Sequence, residues 1–305
     1  MPFSLWKDNT EKSMDQILDN ILNYKEWHTP EIDEFDGSVL RFTLNKRYSD
    51  NKHIQIGETE ITFNVIDYEH EKVRPREKDN EIRPTRVQTI TGFVIVFTDG
   101  KITKYIMNKS YIPQTLTVLR KINNYSGQLE VSDEKFSIKP DFFFWVVNKV
   151  IDFPGAQLGD DQNVGIQLVT GFKGETDDKL AEIIGSGDRI LNLISTLTFL
   201  LETENLSRVE MLLQHKKDTY GMKLGINSYI EVELEKYTGR YMFHPEEIQS
   251  PYIILTMFLI VIPDLFAIYD LEVENDEWNN DRKRSFLNSI GTTIQNRIQE
   301  KLGLS

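Results

Sequence analysis

The chain has 305 residues, of which 39% are apolar, 27% charged and 11% aromatic. That length can bury a real core without covalent staples and suits one large domain or two modest ones. A net charge of −13 argues against a protein that coats nucleic acid or anionic membrane over its whole surface, and the lack of cysteine excludes disulfides, Cys-ligated zinc, iron–sulfur clusters and a thiol nucleophile.

Met1-Pro2-Phe3-Ser4-Leu5-Trp6 has no basic region leading into an apolar run, so no secretory signal is expected. With no cysteine, and with the Ile, Asn and Lys usage common in AT-rich bacterial genomes, the expectation is a cytoplasmic bacterial protein.

Residues 10–26 predict an amphipathic helix, with Ser13 and Gln16 as a capping box and Met14, Ile17, Leu18, Ile21 and Leu22 as its apolar stripe. Residues 27–37 read as loop. β-type runs follow at Val39–Leu44, Ile54–Ile56 and Ile61–Ile66, and the charged, proline-bearing stretch 68–86 reads as a long exposed loop. Gln88–Phe97 and Ile102–Met107 flank Asp99-Gly100, which predicts a hairpin. A helix is expected from Pro113 to Asn123, a β-type stretch over 128–138, and a buried element over the aromatic run 141–153.

Pro, Gly and acids in 153–163 place an expected domain boundary there, dividing a β-rich α+β domain (1–155) from an α+β domain (156–305). In the second half the pattern predicts a strand at Ile166–Phe172 and a helix at Thr176–Ile184. Gly185-Ser186-Gly187 reads as a helix-breaking turn, followed by a helix over 189–201. Strands are expected at Arg208–Gln214 and Tyr229–Glu235. Residues 252–271 are long enough to span a bilayer. Pro263, Asp264 and acidic flanks favour a buried core helix broken near Pro263, with no membrane insertion. An acidic stretch, 270–281, leads into a C-terminal helix with Phe286, Ile290, Ile294, Ile298 and Leu302 at every fourth position. The fold class expected from this order is α+β with antiparallel strands.

Catalytic signatures are incomplete. No two of the five histidines stand at i, i+4, and there is no G-x-S-x-G elbow or P-loop. Neither Asp33-Glu34 near Gly37 nor Asp160-Asp161 near Gly165 meets calcium-loop spacing. Glu231, Glu233 and Glu235 alternate on one strand face and could hold a divalent metal in a hydrolase or nuclease, although a solvated sheet face explains them equally. Carboxylate-x-Lys triplets at Asp99, Asp133 and Asp177 are too short to be diagnostic.

Charge is uneven. Residues 1–155 net −3 and residues 156–305 net −10, yet 82–129 hold seven cations against the single acid Asp99, a local +6. Those cations are Arg83, Arg86, Lys101, Lys104, Lys109, Arg120 and Lys121, interleaved with Tyr105, Tyr111 and Tyr125. Cations that follow phosphates and rings that stack on bases are what a single-stranded nucleic acid groove uses. Lys101, Thr103, Tyr105 and Met107 share one side of their strand by the period of two.

The expectation is therefore a non-enzymatic binding or assembly protein that needs no cofactor or metal, in a bacterial accessory or antiviral-defence system. It would meet nucleic acid or an acidic protein partner through Arg83, Arg86, Lys101, Lys104, Tyr105, Lys109, Tyr111, Arg120 and Lys121. The alternatives are a metal-dependent hydrolase on the glutamate row, and a homo-oligomer joined through 252–271 or the C-terminal helix.

Overall fold

The computed structural model describes residues 1–127, 129–159, 161–175, 182–186, 191, 194–203 and 205–303. The protein is α+β, with antiparallel sheet and a long C-terminal helix. Its contacts divide into units Met1–Lys135 and Phe136–Ser305. The division expected at 155/156 falls inside the second unit, just after that unit's first helix.

The first unit runs β1 (Pro2–Asp8), α1 (Met14–Leu22), the single turn α2 (Tyr24–Trp27), β2 (Phe42–Lys46), β3 (Lys52–Ile56), β4 (Thr59–Val73), the single turn α3 (Arg83–Arg86), β5 (Val87–Thr98), β6 (Thr103–Met107), α4 (Pro113–Asn123) and β7 (Val131–Asp133). Strand order is β1-β6-β5-β4-β2, with β3 also pairing β4 and β7 pairing β1. Ser13 caps α1 as the sequence suggests: its Oγ accepts from Gln16 N at 3.3 Å, and Gln16 Oε1 accepts from Ser13 N at 2.9 Å. The Asp99-Gly100 hairpin forms, with Gly100 at φ +88, a conformation costly for any residue with a Cβ.

Alternation builds the core. Trp6, Phe42, Leu44, Ile66, Tyr68, Val94, Val96, Tyr105 and Met107 project from the strands onto α1 and α4, which supply Met14, Ile17, Leu18, Ile21, Val118, Leu119 and Ile122. The 68–86 stretch is less loop-like than its composition suggests. β4 and β5 pair without interruption from Thr62↔Thr98 to Val73↔Val87, because twelve cross-strand pairs outweigh the poor local propensity of Glu, His and Lys.

The second unit runs α5 (Pro140–Asp152), β8 (Gln157–Leu158), β9 (Val164–Glu175), β10 (Glu182–Ser186), α6 (Ile194–Glu202), β11 (Asn205–His215), β12 (Asp218–Gly225), β13 (Tyr229–Thr238), α7 (Glu246–Thr256), α8 (Ile262–Glu274) and α9 (Asn280–Leu302). Its strand order is β10-β9-β11-β12-β13. The helix expected at Thr176–Ile184 is corrected at its end: Glu182–Ser186 form a strand antiparallel to β9, and Gly185 and Ser186 belong to that strand rather than to a helix-breaking turn. Residues 128, 160, 176–181, 187–190, 192–193 and 204 lie outside the described residues, and with them Asp160, Asp177, Asp178, Lys179, Gly187 and the start of the expected 189–201 helix.

The buried element expected over the aromatic run is a helix, α5. Phe142 through Val147 are all at most 1% exposed. Buried indoles need acceptors. Trp145 Nε1 donates to Glu272 at 2.9 Å and Trp278 Nε1 to Asp141 at 2.6 Å, while Lys149 pairs with Glu272 at 2.6 Å. The break expected near Pro263 is instead a π-turn, Met257–Val261, between α7 and α8. The wider turn accommodates the proline ring and its missing N–H without ending the helix. Among the described residues, Glu246–Glu274 is one helix long and apolar enough to cross a membrane, and 56% of its most apolar window is buried.

Gly92 makes the first core testable. A Cβ there would overlap the Tyr68 hydroxyl and lie 2.6 Å from Asn108 Oδ1, which holds Phe93 N at 2.9 Å. Gly92→Ala is expected to lower stability by about 1–3 kcal/mol through overpacking, read as a fall in Tm, while Gly37→Ala has open space and costs only its backbone strain.

Candidate functional site

The fold disperses the seven cations of 82–129. Arg86 is 1% exposed, its Nε bonding Asp33 at 2.9 Å and its Nη2 bonding Asp36 at 2.7 Å, with the guanidinium over the Phe35 ring. Arg83 joins the same network through Glu71 at 3.0 Å. Burial of a guanidinium demands carboxylates, so these two arginines serve as a clamp on the 31–40 loop rather than as an open surface. Lys104 pairs with Glu134 at 2.8 Å. Arg120 donates to Ser126 O at 3.3 Å, across the turn that closes α4.

Lys101 stands at the hairpin tip, beside a cleft of about 740 Å³ where it, Lys7 and Lys12 face Asp8, Glu11 and Asp15. Three lysines against three carboxylates leave no positive field there.

The tyrosines are corrected too. The strand side shared by Tyr105 and Met107 is the core side, and both are 0% exposed. Tyr105 donates to Asp8 at 2.5 Å, and Tyr125 donates to the same oxygen at 2.7 Å. Burial first, then Tyr125 and Asp8, hold the Tyr105 phenol well above its ordinary range, so it remains a donor. Tyr111 accepts from Leu5 N at 2.7 Å and donates to Glu134 O at 2.9 Å. These rings have structural work and Tyr105 offers no face to a base.

What the fold does bring together lies at the other end of the sheet. Thr62, at the Lys101 end, and His70 are eight residues apart on β4, about 26 Å at strand rise. Phe42 of β2 pairs directly with His70. His28 stacks on Phe42 with centroids 4.2 Å apart and planes at 29°, and Lys121 Nζ stands 5.1 Å from the Phe42 centroid. Lys121 bonds Glu31 at 2.6 Å in a partly exposed pair. Lys72 follows His70 by two residues and shares its side of β4. Lys109 lies just past β6.

Burial, then Lys121, with Lys72 and Lys109 also acting against Glu31, lowers the His70 pKa to about 4. His28 is lowered by burial and then by Lys121. Among the described residues Lys25, Lys72 and Lys109 form no ion pair. Of the cations singled out in sequence, Lys109 and Lys121 therefore converge, joined by Lys72, His28 and His70.

Beside this row is a cleft of about 330 Å³ lined by Tyr24, Lys25, His28, Val39, Arg41 and Phe42, among others, with no acid among its described lining residues. Sequence reasoning missed it because the histidines are far apart in the chain. The period of two could have grouped Tyr68, His70 and Lys72, but the Phe42↔His70 register is a tertiary fact.

Among the described residues no group of three His, Asp or Glu is placed to hold a metal. On β13 the clean alternation breaks at a bulge, and Glu233 is 8% exposed and paired with Lys236 at 2.9 Å, so Glu231, Glu233 and Glu235 do not form an open row. No family model matches this chain, and no curated protein matches its sequence.

Arg86→Ala is expected to cost about 3 kcal/mol, because Asp33, 1% exposed, would lose its nearest counter-charge and keep only Arg83 at 3.6 Å; chemical denaturation measures this. His70 sets a pH window. Its folded pKa lies below the ordinary 6.5, so the unfolded chain takes the proton first as pH falls. The stability given by the neutral ring is complete above about 6.5 and is lost on descending toward 4, by roughly 3 kcal/mol. His70→Gln is expected to flatten the urea-denaturation profile across that window.

Proposed function

We propose that this chain is a nucleic-acid-binding protein whose first unit holds the phosphate backbone at the His70 end of β4. One observation carries the reading: Lys72 lies on the His70 side of β4 and Lys121 stands over Phe42, the residue paired with His70, so that with Lys109 three lysines surround this end against the single acid Glu31 acting on His70, on a chain of net charge −13. A local positive surface on a negative molecule attracts a polyanion by counterion release and limits binding to one orientation. Exposed ion pairs such as Lys121–Glu31 contribute little, so a phosphate replaces Glu31 at small cost.

Recognition or assembly, rather than chemistry, is the role proposed, within a bacterial accessory or antiviral-defence system. The hydrolase reading has less support, since Glu233 is already neutralised by Lys223 and Lys236.

The test is Lys72→Glu with Lys109→Glu and Lys121→Glu, assayed by fluorescence anisotropy against DNA and RNA oligonucleotides over a salt series. The triple variant is expected to lose at least tenfold in affinity, and the dependence of log K on log salt to flatten by about one for each phosphate contact removed. Unchanged affinity, or no binding by the parent protein at low salt, overturns the proposal.

A further inference from the structure

We infer that the cleft beside Phe42 takes an unpaired nucleobase, so that the strand bound at the His70 end is single-stranded. This rests on the reading of that end as a phosphate-binding surface and goes further, to the form of nucleic acid.

The cleft has the parts that a base needs. One wall is aromatic: Tyr24 meets Phe42 edge-on at 5.6 Å between centroids, and His28 lies on Phe42 at 4.2 Å. Val39, which is 61% exposed, also lines the cleft. A planar ring that enters the cleft stacks against π-surface, which is sequence-tolerant because every base has a π-face.

The rim is cationic. Lys25 lines the cleft with Arg41, which pairs with Glu69 at 2.6 Å at an exposed position; Lys121 reaches over Phe42 while pairing with Glu31, and no acid is among the described lining residues. Charge therefore favours an anionic ligand over a neutral or basic one, and the aromatic wall favours one that also carries a planar ring. His28 is kept neutral by burial and by Lys121, so its ring offers one donor and one acceptor to a base edge.

Charge also sets the path. Leu40 is shared with a neighbouring groove of about 800 Å³ that carries Glu31, Asp33, Glu34 and Asp79 against Lys72 and Lys78. A phosphate backbone is repelled from that groove. It is steered instead along the side of Lys121 and Lys109, with Lys72 on the border between the two, and a base reaching in from that side meets the Phe42 cleft. A duplex keeps its bases stacked inside and cannot present one without paying to flip it.

The experiment compares a single-stranded dT oligonucleotide, the same oligonucleotide paired with its complement, and an abasic single strand of equal charge. Val39→Trp fills the cleft from an exposed position, and His28→Ala removes its stacking ring without adding bulk. Both are expected to weaken single-strand binding about tenfold, the loss of roughly one base stack, while leaving duplex and abasic binding and the salt slope as in the parent.

If both variants, folded by their thermal melts, bind the dT strand as tightly as the parent while the lysine-to-glutamate triple variant does not, base capture is overturned and the phosphate surface stands. A parent that prefers duplex over single strand overturns it equally. If the parent binds none of the three probes, both readings fall together.

Discussion

A buried guanidinium must be matched by carboxylates, and Arg86 is the point on which the arrangement of the first unit turns. At 1% exposure it can keep its charge only because Asp33 and Asp36 fold back onto it. That folds the 31–40 loop against the arm made by β4 and β5. Val39, Leu40 and Arg41 then emerge from the loop as a wall beside Phe42.

The same constraint explains why a basic stretch in sequence is not a basic patch in space. Seven cations within 82–129 have a single local acid, Asp99, so most must find carboxylates elsewhere or face solvent. Arg83 and Arg86 take Asp33, Asp36 and Glu71; Lys104 takes Glu134; Lys121 takes Glu31. Only partners distant in sequence could do this, and their identity depends on strand order. The surplus that remains gathers where β2, β4 and α4 meet, and there it bears on an imidazole that sits next to a stacked aromatic.

The second unit solves a parallel problem with different residues. An aromatic helix is driven inward, and its indole, Trp145, and that of Trp278 beyond α8 require acceptors once water is excluded. Asp141 and Glu272 supply them and are in turn matched by Lys283 and Lys149. Carboxylates from an acidic stretch are thus drawn into structural pairs, which is why local acidity at 270–281 does not translate into an open acidic surface at every position.

Periodicity and turn chemistry by themselves determined a good deal. The α+β class, the Ser13 capping box, the Asp99-Gly100 hairpin, the α4 helix from Pro113 to Asn123 and the core stripe of α1 follow from interactions within a few residues, which local sequence encodes. Less was legible where pairing overrode propensity, as in the strands over 68–73 and 182–186, or where a π-turn absorbed Pro263. The proposed site was legible in part: Lys109 and Lys121 are among the residues proposed for it, whereas Tyr105 and Arg86 are interior. Only tertiary structure could decide that Phe42 stands opposite His70, that His28 lies on Phe42 and that Asp33 neutralises Arg86, because each is set by strand register and by the need of a desolvated charge for a counter-charge from far along the chain.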